Sequence, residues 1–91
     1  MTALKLPPRL LHDQANACLA LWVAQLPVNL PASVGLDAAA LTEFDSSVLA
    51  VLLGLRRELV HRGSVLHVTG MSLRLRELAG LYGVIELLEP A

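Results

Sequence analysis

The sequence predicts an α/β fold in which helices pack on a small mixed β-sheet. Two observations support this class: segments rich in β-branched residues alternate with segments of helical periodicity, and 55% of the residues are hydrophobic while only 3% are aromatic, which indicates an aliphatic core. Strands that alternate with helices require crossover connections. The 91 residues suit one small domain, so we expect residues 1–91 to form a single unit.

The first third of the chain predicts two short strands and a helix. Leu4 to Leu6 alternates as a strand does, Pro7-Pro8 interrupts it, and Arg9 to Leu11 follows as a second short strand. Asp13 is a candidate N-cap for a helix from about Gln14 to Leu26, in which apolar residues recur at spacings of three and four.

The other peripheral elements follow from strand composition and from glycine positions. Ser33 to Ala38 is interpreted as a strand, and Ser64 to Thr69 is the clearest strand in the sequence, because Gly70 follows a stretch rich in β-branched residues. Ser72 is expected to cap a helix through about Leu81. Val84 to Leu88 suits either a short final strand or a turn of helix.

A central helix is predicted from about Ser46 to about Arg62, and Gly63 ends it. The preceding polar residues, Asp45-Ser46-Ser47, include favoured N-cap types, whose side-chain oxygens accept hydrogen bonds from the first free N–H groups of a helix. We therefore expect Ser46 to serve as a cap.

This central helix has more apolar positions than one buried stripe needs. One stripe contains Val48, Val51 and Leu55, and a second contains Leu49 and Leu53. Two such stripes indicate either a fully buried helix or a surface for a partner. Full burial is difficult in a short chain, so we expect one of the two stripes to be exposed, either Leu49 and Leu53 or Val48, Val51 and Leu55. We favour the Val48 side, which can bind a partner or support a homodimer when it is exposed.

Charge and hydropathy exclude several classes of protein. The net charge of −1 provides no basic surface for nucleic acid. No apolar run approaches the ~20 residues that a membrane span requires, so no membrane insertion is expected. The N-terminus lacks the apolar segment of a signal peptide. The single cysteine, Cys18, suits a reducing compartment and a buried position.

The sequence offers no recognisable catalytic, metal or cofactor site. Its glycines match neither phosphate-binding spacing, and the three histidines lie far apart. Asp37 and Asp45 suit solvated loop or cap positions better than a catalytic pair. A Ser-His-Asp set could be written from Ser46, a histidine and Asp37, but spacing alone does not support it. The residues thus indicate a protein-interaction domain that needs no cofactor, not an enzyme.

The sequence from Phe44 to Leu53 resembles the signature of STAS domains, the anti-sigma-factor-antagonist-like modules, in which an Asp-Ser-Ser/Thr corner precedes an aliphatic helix. The order of the other elements matches over nearly the whole chain, so the resemblance implies a STAS-like sheet. The position after the second serine is often Gly in antagonists that a serine kinase switches, and here it is Val48.

The short chain is most similar to the STAS subunit of Mla phospholipid ABC transporters, which is cytoplasmic, lies at the inner membrane through its complex and binds the ATPase subunit. By this resemblance Ser46 matches the serine or threonine at the centre of partner contacts. We expect five further residues to bind the partner together with Ser46: Asp45, Ser47, Val48, Val51 and Leu55. An anti-sigma-factor antagonist phosphorylated on Ser46 by a kinase partner is the alternative. An enzyme with Ser46 as nucleophile is the third hypothesis.

Overall fold

The computed structural model describes residues 3–88, in which four helices and five strands follow one another. In chain order they are β1 (Ala3–Lys5), β2 (Arg9–Leu10), α1 (His12–Gln25), β3 (Ser33–Asp37), β4 (Glu43–Phe44), α2 (Ser47–His61), β5 (Val65–Thr69), α3 (Leu73–Leu81) and α4 (Ile85–Leu88).

The strands form a three-stranded sheet in the order β1-β3-β5 and a separate two-stranded ladder of β2 and β4. The α/β class with helices packed on a small sheet is confirmed. All strand pairs within residues 3–88 are parallel, however, where the sequence analysis expects a mixed sheet. The ladder contains β4, which the sequence analysis missed because two residues are too few to produce a periodic pattern.

The three-stranded sheet has one buried face and one exposed face. Alternate residues of β3 and β5, such as Val34, Leu36, Leu66 and Val68, are buried. Their neighbours along the same strands, among them His67, are exposed. Because side chains alternate across a strand, the helices cover only one face of the sheet.

Helix α2 is a core helix, and the prediction that its Val48 side is exposed is wrong. Val48, Val51 and Leu55 are at most 2% exposed, and Leu49 on the second stripe is buried as well. The reason is that α1 folds back on α2 while α2 also packs against β5 and α4. The Val48 stripe is therefore fully covered and provides no surface for a homodimer, while Leu53 on the second stripe is only partly buried.

Helix α1 begins two residues earlier than predicted, and Asp13 is not its N-cap. The backbone N–H of Leu11 donates to the Gln14 side chain at 3.1 Å, while the backbone N–H of Gln14 donates back to the Leu11 carbonyl at 2.9 Å. Asp13 lies within the first turn, where its charge suits the positive end of the helix.

The remaining boundaries agree with the sequence within one or two residues. Gly63 and Gly70 end α2 and β5 with φ of 82° and 71°, a region that favours glycine. Ser72 caps α3 as predicted, since its Oγ accepts the Leu75 N–H at 3.2 Å. The last segment, Ile85–Leu88, is a turn of helix. No helix in the described part of the chain is both long and apolar enough to cross a bilayer.

Candidate functional site

The polar corner before α2 consists of Asp45, Ser46 and Ser47, and hydrogen bonds to the Asp45 carboxylate fix its conformation. Its Oδ1 accepts the backbone N–H of Ser47 at 2.8 Å, and its Oδ2 accepts the backbone N–H of His12 at 3.1 Å. One carboxylate thus accepts hydrogen bonds from the first residues of both α1 and α2, which are 35 residues apart in sequence. The two helix starts satisfy part of their unpaired N–H groups through this single side chain.

Ser46 does not act as the side-chain cap that the sequence predicts. Its φ and ψ of −62° and −14° are already helical, and its side chain makes no capping hydrogen bond. A side-chain cap needs extended backbone angles at the capping residue, and the capping role therefore belongs to Asp45. Within residues 3–88 the Ser46 hydroxyl is exposed and forms no hydrogen bond.

Ser47 is more constrained than Ser46. Its Oγ lies 3.3 Å from Nδ1 of His12, in addition to the backbone hydrogen bond to Asp45. Asp45 accepts a hydrogen bond from the backbone of His12 and not from its ring, so among residues 3–88 no carboxylate is hydrogen-bonded to this imidazole as a catalytic triad requires. The arrangement joins the two helix starts and does not have the geometry of an activated nucleophile.

The hydrogen bonds at the corner also determine the ionisation of Asp45. The backbone N–H of Ser47 lowers the pKa of Asp45 below its ordinary value of 3.8, and the Ser47 hydroxyl, the His12 N–H and the His12 charge act in the same direction. Desolvation opposes them only in part. The carboxylate is consequently ionised at neutral pH.

The Asp45→Asn variant is expected to melt at a lower temperature than the wild type at pH 7. Because folding lowers the pKa of Asp45, its contribution to stability is present above the unfolded value near 3.8 and is lost as the pH falls through the lower, folded value. The difference in Tm between the two proteins should therefore shrink below about pH 3.8.

Thermal melts from pH 7 to pH 2.5 measure this difference. Asp13→Asn is the matched control, because it removes a carboxylate that lies in the first turn of a helix and forms no hydrogen bond to another described residue. It therefore measures the effect of the helix dipole alone, and any larger effect of Asp45→Asn belongs to the hydrogen bonds of Asp45. A Tm difference for Asp45→Asn that stays constant down to pH 2.5 would exclude the proposed ionisation effect.

Beside the corner lies an open groove of about 290 Å³, here named the α3 groove. Its apolar lining consists of Phe44, Leu78 and Leu81, and its polar lining consists of Asp45, Ser46, Arg74 and Glu77. The guanidinium of Arg74 lies 5.1 Å from the centre of the Phe44 ring, within the range of a cation–π contact. Ser46 thus occupies the boundary between the polar corner and an apolar surface.

The helical spacing of α3 directs these side chains to the groove. Leu75 and Ala79 are fully buried and attach α3 to the core. Arg74, Leu78 and Leu81 follow at spacings of four and three on the adjacent side of the helix. Leu81 is 84% exposed and, with Phe44 and Leu78, forms the apolar part of the groove surface.

The structure separates the six residues expected to bind a partner into two groups. Asp45, Ser46 and Ser47 lie at the corner, and Ser46 also lines the α3 groove. Val48, Val51 and Leu55 lie in the core and offer no surface in the isolated domain.

The other residues considered for chemistry form no further site. Asp37 accepts the Ala39 N–H at 2.9 Å, and the histidine at the corner lies beside Ser47, not Ser46. Burial raises the pKa of the Cys18 thiol, which therefore has little thiolate at neutral pH. Within residues 3–88 no group of three or more His, Cys, Asp or Glu residues could hold a metal ion.

Sequence reasoning missed His12 and the α3 groove. No local pattern connects His12 with Ser47, because their contact depends on how α1 packs on α2. A partial signal for the groove was present, since Leu78 and Leu81 fall on the amphipathic α3. The sequence does not reveal that Leu75 and Ala79 are the buried residues of that helix while Leu78 is only partly covered.

A family model described as "Mlab, STAS domain" matches residues 2–89. No curated protein matches the chain.

Proposed function

Because the chain belongs to the MlaB-type STAS domain family, we propose that it is the interaction subunit of an Mla-type phospholipid ABC transporter. In this role it binds the ATPase subunit, supports the activity of the complex and so helps to maintain the lipid asymmetry of the outer membrane. STAS domains mediate protein–protein interactions and are generally not enzymes. The proposed location is the cytoplasm, peripheral to the inner membrane through the transporter.

The observation that carries this proposal is the position of Ser46. Ser46 is exposed and its hydroxyl forms no hydrogen bond to a described residue. It lies between the ionised Asp45 and the apolar part of the α3 groove. A polar centre beside an apolar surface suits a protein interface, in which apolar contacts are surrounded by polar groups. The corner residues Asp45, Ser46 and Ser47 are the proposed contacts with the ATPase.

Affinity purification from the native cell tests this role. The tagged chain should retain an ABC ATPase and the other transporter subunits through purification, and mass spectrometry identifies them. A control chain with the Ser46→Glu substitution should lose them. Recovery of sigma-factor regulators in place of the ATPase would refute the transporter proposal.

An anti-sigma-factor antagonist that is phosphorylated on Ser46 is the second candidate. The accessible and unbonded Ser46 hydroxyl favours it, because a kinase needs a free acceptor. Val48 occupies the position at which switched antagonists often have glycine, and its side chain is buried in the core. Incubation with ATP and the co-purified partner, followed by intact-mass measurement, distinguishes the candidates: the antagonist alone gains a phosphate.

We expect the isolated chain to have no hydrolase activity. The serine that lies near a histidine is Ser47, and no carboxylate orients that histidine ring in the described structure. The measurement is turnover of activated esters and of ATP by a highly purified sample, with Ser46→Ala and Ser47→Ala as controls. Turnover that persists through purification and disappears in either variant would show that a serine nucleophile is present.

A further inference from the structure

We propose that the α3 groove receives an amphipathic helix of the partner, which inserts one large apolar side chain onto Phe44 and Leu81 and places a basic residue beside Asp45 and Glu77. The identity of the partner as an ATPase rests on the proposed function. The chemistry of the bound segment rests on the groove itself.

The apolar side chain is required by the lining of the groove. Leu81 is 84% exposed and Leu78 is only partly buried, so the isolated domain leaves apolar surface in contact with water. At about 290 Å³ the open groove lies at the small end of the range for small-molecule sites, which are usually deeper and more enclosed. One inserted side chain suits this shape better than a cofactor.

The basic residue follows from the charges around the groove. Asp45 is ionised, and the Glu77 carboxylate forms no ion pair with a described residue. The cation in the lining, Arg74, already lies over the Phe44 ring. Two carboxylates and one guanidinium line the groove, so a lysine or arginine from the partner gives electrostatic complementarity.

A helix fits this surface better than a strand. One wall of the groove is α3, whose backbone groups are engaged in helical hydrogen bonds and cannot pair with an added strand. The lining also includes Phe44 of β4, but this edge strand has only two residues and offers too short a backbone for an added strand. Two helices instead pack by placing side chains of one into spaces between side chains of the other. If the partner helix carries a basic residue within one turn of its apolar residue, the apolar side chain can enter the groove while the basic one lies at the corner.

Photo-crosslinking in the native complex identifies the bound segment. A benzophenone amino acid replaces Leu81, and the control carries it at Leu21, an exposed leucine on α1. We expect the Leu81 probe to crosslink to one helical segment in which a lysine or arginine lies within four residues of the crosslinked apolar position. A crosslink to a second copy of this chain, to an acidic or non-helical segment, or to no protein would overturn the inference.

Charge reversal tests the electrostatic part. Glu77→Arg should weaken binding of the crosslinked partner roughly tenfold at low salt, with a smaller loss at high salt. Glu86→Arg is the matched control, because Glu86 is exposed on α4 and does not line the groove. Reversal of the partner's basic residue to glutamate should restore binding to Glu77→Arg, and failure of this rescue would contradict the predicted pair.

The two proposals can fail separately. If the ATPase co-purifies but the Leu81 probe does not reach it, the transporter role stands and the groove inference is wrong. If the probe captures a basic amphipathic helix of a different protein, the groove inference stands and the ATPase is not the partner.

Discussion

Leu55→Ala is expected to destabilise the domain by about 2–5 kcal/mol, the usual cost of truncating a buried leucine. Leu55 is 0% exposed, and it lies on the helix that α1, α4 and β5 surround. A small domain has roughly 5–15 kcal/mol of total stability, so this loss would leave a marginal or partly unfolded protein. If Leu55 were instead a partner contact on an exposed face, the same substitution would change the stability by less than about 0.5 kcal/mol.

Urea unfolding of the isolated domain measures this effect. Leu21→Ala is the control, since Leu21 is 57% exposed on α1 and its truncation should shift the midpoint little. A Leu55→Ala domain with wild-type stability and impaired partner binding would contradict the core position of Leu55 and restore the Val48 side as an interface.

Ser46→Glu is expected to weaken ATPase binding roughly tenfold or more while the Tm changes little. The new side chain is larger than the serine hydroxyl, and its carboxylate would have to lose solvent at the opening of the α3 groove. Asp45 and Glu77 already pair there with the basic residue proposed for the partner, so the third carboxylate would be left unpaired in the interface. In the isolated domain the solvent, the nearby Arg74 and the start of α2 accommodate the charge. The stability change should therefore stay near ~1 kcal/mol or below.

Titration of the ATPase subunit, with thermal melts alongside, measures both quantities. Ser33→Glu is the matched control, because Ser33 is an exposed serine on β3 that does not line the groove. Ser46→Ala should keep the wild-type Tm, since the Ser46 side chain makes no capping hydrogen bond. Undiminished binding by a folded Ser46→Glu domain would remove Ser46 from the interface.

Sequence periodicity predicted the main elements well because each is determined locally. The strand Val65–Thr69, the Ser72 cap and the stop at Gly63 each depend on residues within a few positions of one another. The two residues of β4 were missed for the opposite reason. Their partners are Arg9 and Leu10 of β2, 34 residues earlier in the chain, and the Pro8 carbonyl accepts the Glu43 N–H at 3.1 Å.

The candidate site was predicted only in part. The sequence identified the corner residues, but it favoured Ser46 over Asp45 as the helix cap. It also favoured the Val48 side of α2 as the exposed side, and that side is buried. The helical spacing places Val48 and Leu49 on two apolar stripes of α2, but it does not show how many neighbouring elements cover each stripe. The answer depended on α1, which approaches α2 closely where Leu19 meets Gly54. Such long-range packing leaves no signal within the helix itself.

The two hydrogen bonds of Asp45 have a consequence for attempts to block the interaction with a synthetic fragment. One of its oxygens binds His12, which lies 33 residues earlier in the chain. A peptide that spans residues 44–62 would contain Ser46 but would lack that anchor, and isolated helices of this length are marginal in water. Its buried leucines would also face solvent. A useful competitor must therefore contain the intact domain, or a rigid scaffold that reproduces both helix starts.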